Sequence, residues 1–492
     1  MTQDMSAQKD GFENQSFQNQ SHVNPSTKDL RAKLMLILTV IGTRIPFVFN
    51  GYGNEEDSWT HVVNAFENFT TGTYQISRLP GHPLMEGLLT GIYPLHSPWL
   101  YNGLSVMAAV FSTLLVYQIH KDFKGIYPFL TAVAFAFFPT VFASSVSTID
   151  YLFGLALVLA STRSMLQGKP VVAGVLLGLA VGFRLSYLAW GLPLLFFMPN
   201  ISRQSHRGIF LFGLATFGIS ILCYLPAYNT YGWGFFDTYD LPLPPLPKII
   251  YKGTVGAIGL FGMLGMLLLG INLLRKALAR TLRDDYARGL SSPILWGLGL
   301  WIAFTIVLYF RIPEKSAFII PMLPPILWLT LRGSRNAFTK WALMCFLLSP
   351  WLLGVDISDS LRGARPSPMA VHTANSGQDL FVDPVSGPII NDATKRFNKA
   401  DATQKMVQWM GETQDSTLLI AGWWYPMIQV SQIEKPFATG VKVVYYATEE
   451  EIKNALSENM NIYFAPEQNQ INQQKYGHDL AEKYGILLDL GQ

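Results

Sequence analysis

The run Asn54-Glu55-Glu56-Asp57-Ser58 puts three carboxylates in succession just after an apolar stretch, residues 34–49. A carboxylate held where a chain leaves a bilayer can take a proton from the hydroxyl of a membrane-bound substrate. It can equally be a solvated loop charge, and only its surroundings decide. Asp150 is a further acid, placed before an apolar run that reaches about residue 160. A carboxylate inside the bilayer costs about 2.5–3.5 kcal/mol on insertion scales, so it points to function; as a helix N-cap it needs none. Arg184 interrupts the apolar stretch 170–199. A guanidinium at that depth requires an anionic partner, either an acidic side chain or a lipid phosphate. Arg311 and Lys315 flank the tight turn Ile312-Pro313-Glu314, and two cations at one turn suit a phosphate.

The elements that must position these groups are membrane helices. The chain has 492 residues, is half apolar and only 14% charged, against about 25% charged in soluble domains. Apolar runs of bilayer-crossing length recur. Cys223 and Cys345 both lie inside such runs, which suggests packing and no disulfide framework. Residues 1–30 are read as a polar, disordered cytoplasmic tail with no signal peptide. Lys28, Arg31 and Lys33 before the first span put the N-terminus inside.

Basic loops then alternate with acidic or aromatic ones. Lys121 and Lys124, Arg163 and Lys169, Arg203 and Arg207, the cluster Arg275 to Arg288, and Arg332 to Lys340 all read as inside. About eleven crossings satisfy this sidedness, with residues 170–199 forming two short helices that meet near Arg184. The first outer loop, residues 51–98, carries two stripes at helical spacing. Trp59, Val62, Val63, Phe66 and Phe69 form one, and Leu84, Met85, Leu88, Leu89 and Ile92 the other. Both are expected to lie flat on the interface as juxtamembrane helices. Between them Arg78-Leu79-Pro80-Gly81-His82-Pro83 is a rigid turn. The loop 231–252 holds Tyr239, a proline-rich run, Lys248 and Tyr251, and reads as a substrate gate or a stiff connector.

After residue 355 the composition changes. Strands are expected at 416–422, 441–447, 461–465 and 486–490, with helices at 449–458 and 474–484. That alternation argues a small extracytoplasmic α/β domain, residues 356–492. It carries no glycine-rich phosphate fingerprint. Asn68-Phe69-Thr70 matches the glycosylation acceptor pattern. His61, His82 and His96 share no ligand spacing, so no cofactor or metal is expected.

The order of parts over residues 34–355 resembles the GT-C superfamily of membrane glycosyltransferases, near its protein mannosyltransferase and lipid A aminoarabinose transferase branches. The resemblance rests on Arg44 late in the first span, the Glu56-Asp57 pair, the loop with two helices and the Pro-Gly-His-Pro turn. It rests also on Asp150 opening a span, the 178–184 stretch and the 311–325 region. It implies a polyprenyl-phosphate sugar donor and transfer on the outer face to a lipid, glycan or protein acceptor, with no nucleic acid; the lack of a retention signal and the compact design point to a bacterial inner membrane. Asp57, or Glu56 in its place, would be the base, since an acceptor hydroxyl is a poor nucleophile until deprotonated. Asp150 would assist, and Arg184, Arg311 and Lys315 would hold the leaving phosphate. Arg78, His82, Glu86, Tyr239, Lys248 and Tyr251 are the loop residues expected at the substrate. A single displacement without a protein nucleophile would invert the anomeric centre. A lipid flippase or transporter would instead spread ionisable groups through the midplane, and an envelope-assembly scaffold would need none of these side chains.

Overall fold

The computed structural model describes residues 25–199, 205–237, 243–279, 292–313, 315–332, 335–357, 369, 371–375, 378–436, 439–466 and 480–489. The first helix, α1 (Pro25–Arg44), starts earlier than the apolar run does and ends earlier too, giving way to a 3-10 turn at Ile45–Phe47. The loop 51–98, expected on the outer side, forms α2 (Glu56–Thr71) and α3 (Pro83–Gly91). Then follow α4 (Pro98–Asp122), α5 (Pro128–Ala136), α6 (Pro139–Ser145), α7 (Tyr151–Leu166), α8 (Pro170–Phe183) and α9 (Gly191–Leu195). The membrane part continues with α10 (Ser205–Tyr231), α11 (Leu246–Gly253), α12 (Val255–Leu278), α13 (Ser292–Arg311), α14 (Leu323–Thr330) and α15 (Ala337–Leu348).

Among the described residues four helices are long and apolar enough to cross a membrane: Pro98–Asp122, His206–Phe236, Val255–Leu278 and Ser292–Arg311. The pair α5 and α6 makes a fifth if counted as one span. Apart from α1, which has 20 residues but carries several charges, five further apolar helices have 10–17 residues, shorter than the roughly 20 residues that cross a bilayer unaided. By length and composition alone, four or five of the roughly eleven expected crossings are shown among the described residues. The physical reason is interruption. Pro139 lacks an N–H and its ring clashes one turn back, and α5 and α6 meet there at 68°. Arg44 occupies the bend. Its Nη2 donates to Ala136 O, its Nε donates to Ser145 Oγ at 3.2 Å, and its guanidinium lies 3.9 Å from the centre of the Phe142 ring. The broken helix thus has its freed carbonyl satisfied. Arg184 makes the other break, in extended conformation between α8 and a 3-10 turn at Leu185–Trp190.

Of the two helices expected to lie flat on the membrane interface, α2 is packed within protein. Val62, Val63 and Ala65 of α2 are buried in one cluster with Met85 and Leu89 of α3, Tyr93 just after it, Tyr101 of α4 and Val430 from the C-terminal region. Helix α2 is sandwiched, and its apolar face meets protein. The loop leading into it is clasped from below. Asn102 Nδ2 donates to Val48 O at 2.9 Å and to Gly51 O at 2.8 Å, while its Oδ1 accepts from Thr148 Oγ1 at 3.0 Å. Thr148 N donates to Tyr52 O at 2.7 Å. Gly51 sits at φ +63°, and a Cβ on Gly53 would meet Ser58 Oγ at 2.5 Å. The acidic run is therefore delivered by a turn that two glycines permit.

Beyond the last helix, β1 (Gly354–Asp356), β2 (Val371–Asn375) and β3 (Gln378–Asp383) form an antiparallel sheet in the order β1-β3-β2. The periodicity did not reveal this sheet, nor the long helix α16 (Pro388–Glu412). A second sheet is parallel: β4 (Thr417–Ile420), β5 (Val441–Val444), β6 (Asn461–Phe464) and β7 (Ile486–Leu487), in the order β5-β4-β6-β7. Its strands are shorter than the expected runs. Helices α17 (Tyr425–Glu434), α18 (Glu449–Ser457) and α19 (Leu480–Tyr484) connect them. Of the helix expected at 474–484, residues 474–479 lie outside the described residues.

Replacing Asn102 by Ala strips a buried donor pair from Val48 O and Gly51 O and leaves Thr148 without its acceptor. Each buried polar group so orphaned costs about 1–3 kcal/mol. Asn102→Ala is expected to lower the thermal unfolding midpoint in detergent clearly; an unchanged midpoint would mean that the clasp does not hold the loop.

Candidate active site

The acidic run opens into a cavity of about 920 Å³ between the membrane part and the C-terminal region. Small-molecule sites commonly span about 300–1,000 Å³, so this one has room for two substrate headgroups. Its lower wall comes from residues 54–58, Arg78, Pro139, Ser147, Lys248, Tyr251 and Lys315. Its upper wall comes from Asn391, Lys395, Lys399, Tyr425, Gln429, Tyr445 and Tyr446.

Asp57 is the centre of the lower wall. Its carboxylate is bound by both Arg78 Nη1 and Lys315 Nζ. Lys315 Nζ also lies 2.9 Å from Glu55 Oε2, which accepts from Tyr151 Oη at 3.0 Å. Three segments far apart in sequence are tied at one point. Burial alone would raise the Asp57 pKa, but Arg78 and Lys315 outweigh it and hold this carboxyl well below the usual range. Glu56 behaves in the opposite way. Burial and the neighbouring Asp57 raise its pKa, against a lowering hydrogen bond from Tyr445 Oη to Oε1 at 2.6 Å. Adjacent carboxylates are thus pushed apart: Asp57 is committed as an anion, and Glu56 has the greater affinity for a proton.

Beneath this wall lies a second, buried layer. Arg184 grips Asp150 with two bonds, Nε to Oδ2 at 2.7 Å and Nη2 to Oδ1 at 2.9 Å. The acidic side chain expected as one of the two possible partners of Arg184 is Asp150. Its guanidinium also lies 4.4 Å from the Tyr151 ring centre and 5.1 Å from that of Phe318. His82 Nε2 is 3.8 Å from Asp150 Oδ2, and the His61 and His82 rings stand edge to face at 5.6 Å. Burial pulls the His61 pKa down to about 4, so this ring is neutral at pH 7. None of Asp150, Arg184, His61 and His82 lines the cavity.

Other expected site residues are dispersed. Glu86 is buried on the far side of the turn, accepting from Tyr74 Oη, from Ser77 N at 2.8 Å and from Ser77 Oγ at 2.7 Å. It shapes the segment that carries Arg78 and does not face the cavity. Arg311 is exposed at the end of α13, away from the cavity lining. Lys248 and Tyr251 of α11 do line it, and Tyr251 Oη donates to Val355 O at 2.6 Å. Tyr239 lies outside the described residues. His96 stacks on Tyr93 with ring centres 4.4 Å apart, and among the described residues no group of three His, Cys, Asp or Glu is arranged to hold a metal.

The residues that sequence reasoning missed come mostly from the C-terminal region. Tyr445 reaches Glu56, Lys399 Nζ donates to Asn54 O at 2.5 Å, and Tyr52 Oη donates to Glu434 Oε1 at 3.1 Å. Arg396 Nη1 donates to Val146 O at 2.8 Å and its Nη2 to Ser147 Oγ at 2.7 Å. The one available signal was the i, i+4, i+8 spacing of Asn391, Lys395 and Lys399.

No family model and no curated protein matches the chain. Among solved structures it is similar to the crystal structure of ArnT from Cupriavidus metallidurans in the apo state. The identity is 10% and the TM-score 0.48, over 93% of this chain and 90% of that one. A likeness at that level concerns the path of the chain, and the chemistry rests on the side chains described above.

Asp57→Asn would remove the carboxylate that Arg78 and Lys315 share, leaving Glu55 as the ion-pair partner of Lys315. Removing one partner of a buried ion pair costs on the order of 3–5 kcal/mol. Unfolding in detergent should show a loss toward the lower end of that range, and a much smaller one for Glu55→Gln. Equal losses would refute the assignment of Asp57 as the hub.

Proposed function

We propose that this protein is a membrane glycosyltransferase that moves a sugar from polyprenyl phosphate to an acceptor hydroxyl inside the cavity. The observation that carries the reading is the division of the acidic run: a carboxylate with raised proton affinity stands beside one that gathers two cations. Transfer from a phosphate leaving group needs both halves. The acceptor oxygen must lose a proton as it bonds to the anomeric carbon, and the departing phosphate must have its charge met.

In this reading Glu56 accepts the acceptor's proton. The new bond forms between the acceptor oxygen and the anomeric carbon, and the bond from that carbon to the phosphate oxygen breaks. Arg78 and Lys315 receive the phosphate, sharing themselves between it and Asp57. One displacement with no protein nucleophile inverts the sugar. Asp57, the base expected from the chain's order, serves better as the organiser of these cations, because a carboxylate already paired twice is a weak base. Asp150 and Arg184 are positioning residues that act through Tyr151 and Glu55. On this account the cavity opens on the outer face of a bacterial plasma membrane, with the N-terminus inside.

The test is transfer by the purified protein in liposomes, with an extracted pool of polyprenyl-phosphate sugars as donor. Glu56→Gln should lower turnover at least about 100-fold, the usual range for a lost general base, while donor binding is kept. Full turnover in Glu56→Gln would reject the assignment. The pH profile gives a separate check. Activity should fall as pH drops through the Glu56 pKa, which burial sets above the ordinary glutamate value. Tyr445→Phe removes a bond that favours the charged form, so it should move this acid limb to higher pH. A limb that stays in place or moves lower would show that another group titrates.

A further inference from the structure

The C-terminal region does more than roof the cavity. Its parallel sheet runs in the order β5-β4-β6-β7. Open parallel sheets bind ligands beyond the carboxyl ends of their strands. Here those ends meet the cavity. The segment after β4 supplies Trp423, Tyr425 and Pro426, the segment after β5 supplies Tyr445 and Tyr446, and both line it. The two segments are tied together, since Gly422 N donates to Tyr445 O at 2.9 Å.

The chemistry presented there differs from that of the lower wall. Tyr445 and Tyr446 cross edge to face at 4.5 Å, and Tyr425 and Tyr445 at 6.2 Å. Such rings offer an apolar face together with polar tips, which suits a sugar ring. Beside them α16 brings Asn391, Lys395 and Lys399 along one face at successive turns. Lys395 binds Asp356, and Lys399 reaches Asn54 O, so both ammonium groups are held at the cavity edge. Asn391 is only 6% exposed, and its Oδ1 has no hydrogen-bond partner among the described residues. A buried carbonyl oxygen lining a cavity without a donor is a place for a ligand hydroxyl.

We infer that the carboxyl edge of this sheet, with α16, is the acceptor subsite, and that it takes a saccharide bearing an acidic group. The aromatic rings and Gln429 meet the ring and its hydroxyls, Asn391 accepts from a hydroxyl, and Lys395 and Lys399 meet the phosphate or carboxylate. The role as acceptor subsite rests on the transferase reading above; the affinity for an acidic sugar does not.

The experiment is a titration of the full chain in nanodiscs, followed by saturation-transfer NMR, with four probes: glucose 1-phosphate, glucuronic acid, glucose and inorganic phosphate. At least one acidic sugar should bind more tightly than both glucose and inorganic phosphate, and the tighter of the two acids identifies phosphate or carboxylate as the group read. Lys395→Gln should weaken it about tenfold, the scale of one charge-assisted bond, without changing glucose. Tyr446→Ala should weaken every sugar. Retained binding of polyprenyl phosphate shows that either variant is folded. Binding of neither acid, equal binding of glucose, equal binding of inorganic phosphate, or a loss in Lys315→Gln that is absent in Lys395→Gln would each overturn the inference. No turnover is required, so a protein that fails to transfer sugar but passes this titration would refute the transferase reading alone.

Discussion

A buried carboxylate shared by two cations holds this molecule's working parts together. Asp57 opens α2, Arg78 lies in the turn between α2 and α3, and Lys315 precedes α14. Water would separate these charges at little loss; inside the protein each needs the others. The arrangement fixes the relative placement of the first outer loop and the last third of the membrane part. Burial, with the Asp57 charge beside it, sets the neighbouring Glu56 apart by raising its proton affinity. Together these yield both a cation pair that can meet a phosphate and a carboxylate free to take a proton.

Support for that arrangement comes from two directions. From below, the Asp150–Arg184 pair backs Tyr151, whose hydroxyl reaches Glu55. Arg184 stands at a helix break in extended conformation, and its guanidinium finds a carboxylate. From above, the C-terminal region closes over the run through Tyr445, Lys399 and Arg396. The cavity exists only between these layers. Its walls are drawn from the outer loop, the ends of several membrane helices and the carboxyl edge of a parallel sheet.

The acidic run, the outer Lys315 and the break at Arg184 were legible from the sequence, because a charge beside or within an apolar run is conspicuous when water is excluded. The parallel strands were legible for the same reason, as short apolar bursts. What escaped depends on contacts between distant segments. Nothing local distinguishes Glu56 from Asp57; the division follows from Arg78 and Lys315 arriving at one carboxylate, and from burial of the other that outweighs its bond from Tyr445. The stripe on α2 revealed a helix with one apolar face, but not that Val430 and Tyr93 would cover it. Arg311 and Lys315 look alike in sequence, yet one is exposed and the other is clamped. Helix α16 is too polar for its periodicity to stand out, so its lysines were invisible as a wall of the cavity.

The most direct measurement is phosphorus NMR of polyprenyl phosphate added to the purified protein in nanodiscs. If Arg78 and Lys315 share themselves between Asp57 and the lipid phosphate, its resonance should shift or broaden with the wild-type protein. That change should vanish when both cations are replaced by glutamine, while ordinary phospholipid signals remain as they were. A polyprenyl phosphate resonance that ignores the wild-type protein, or responds equally to the double variant, would contradict the account.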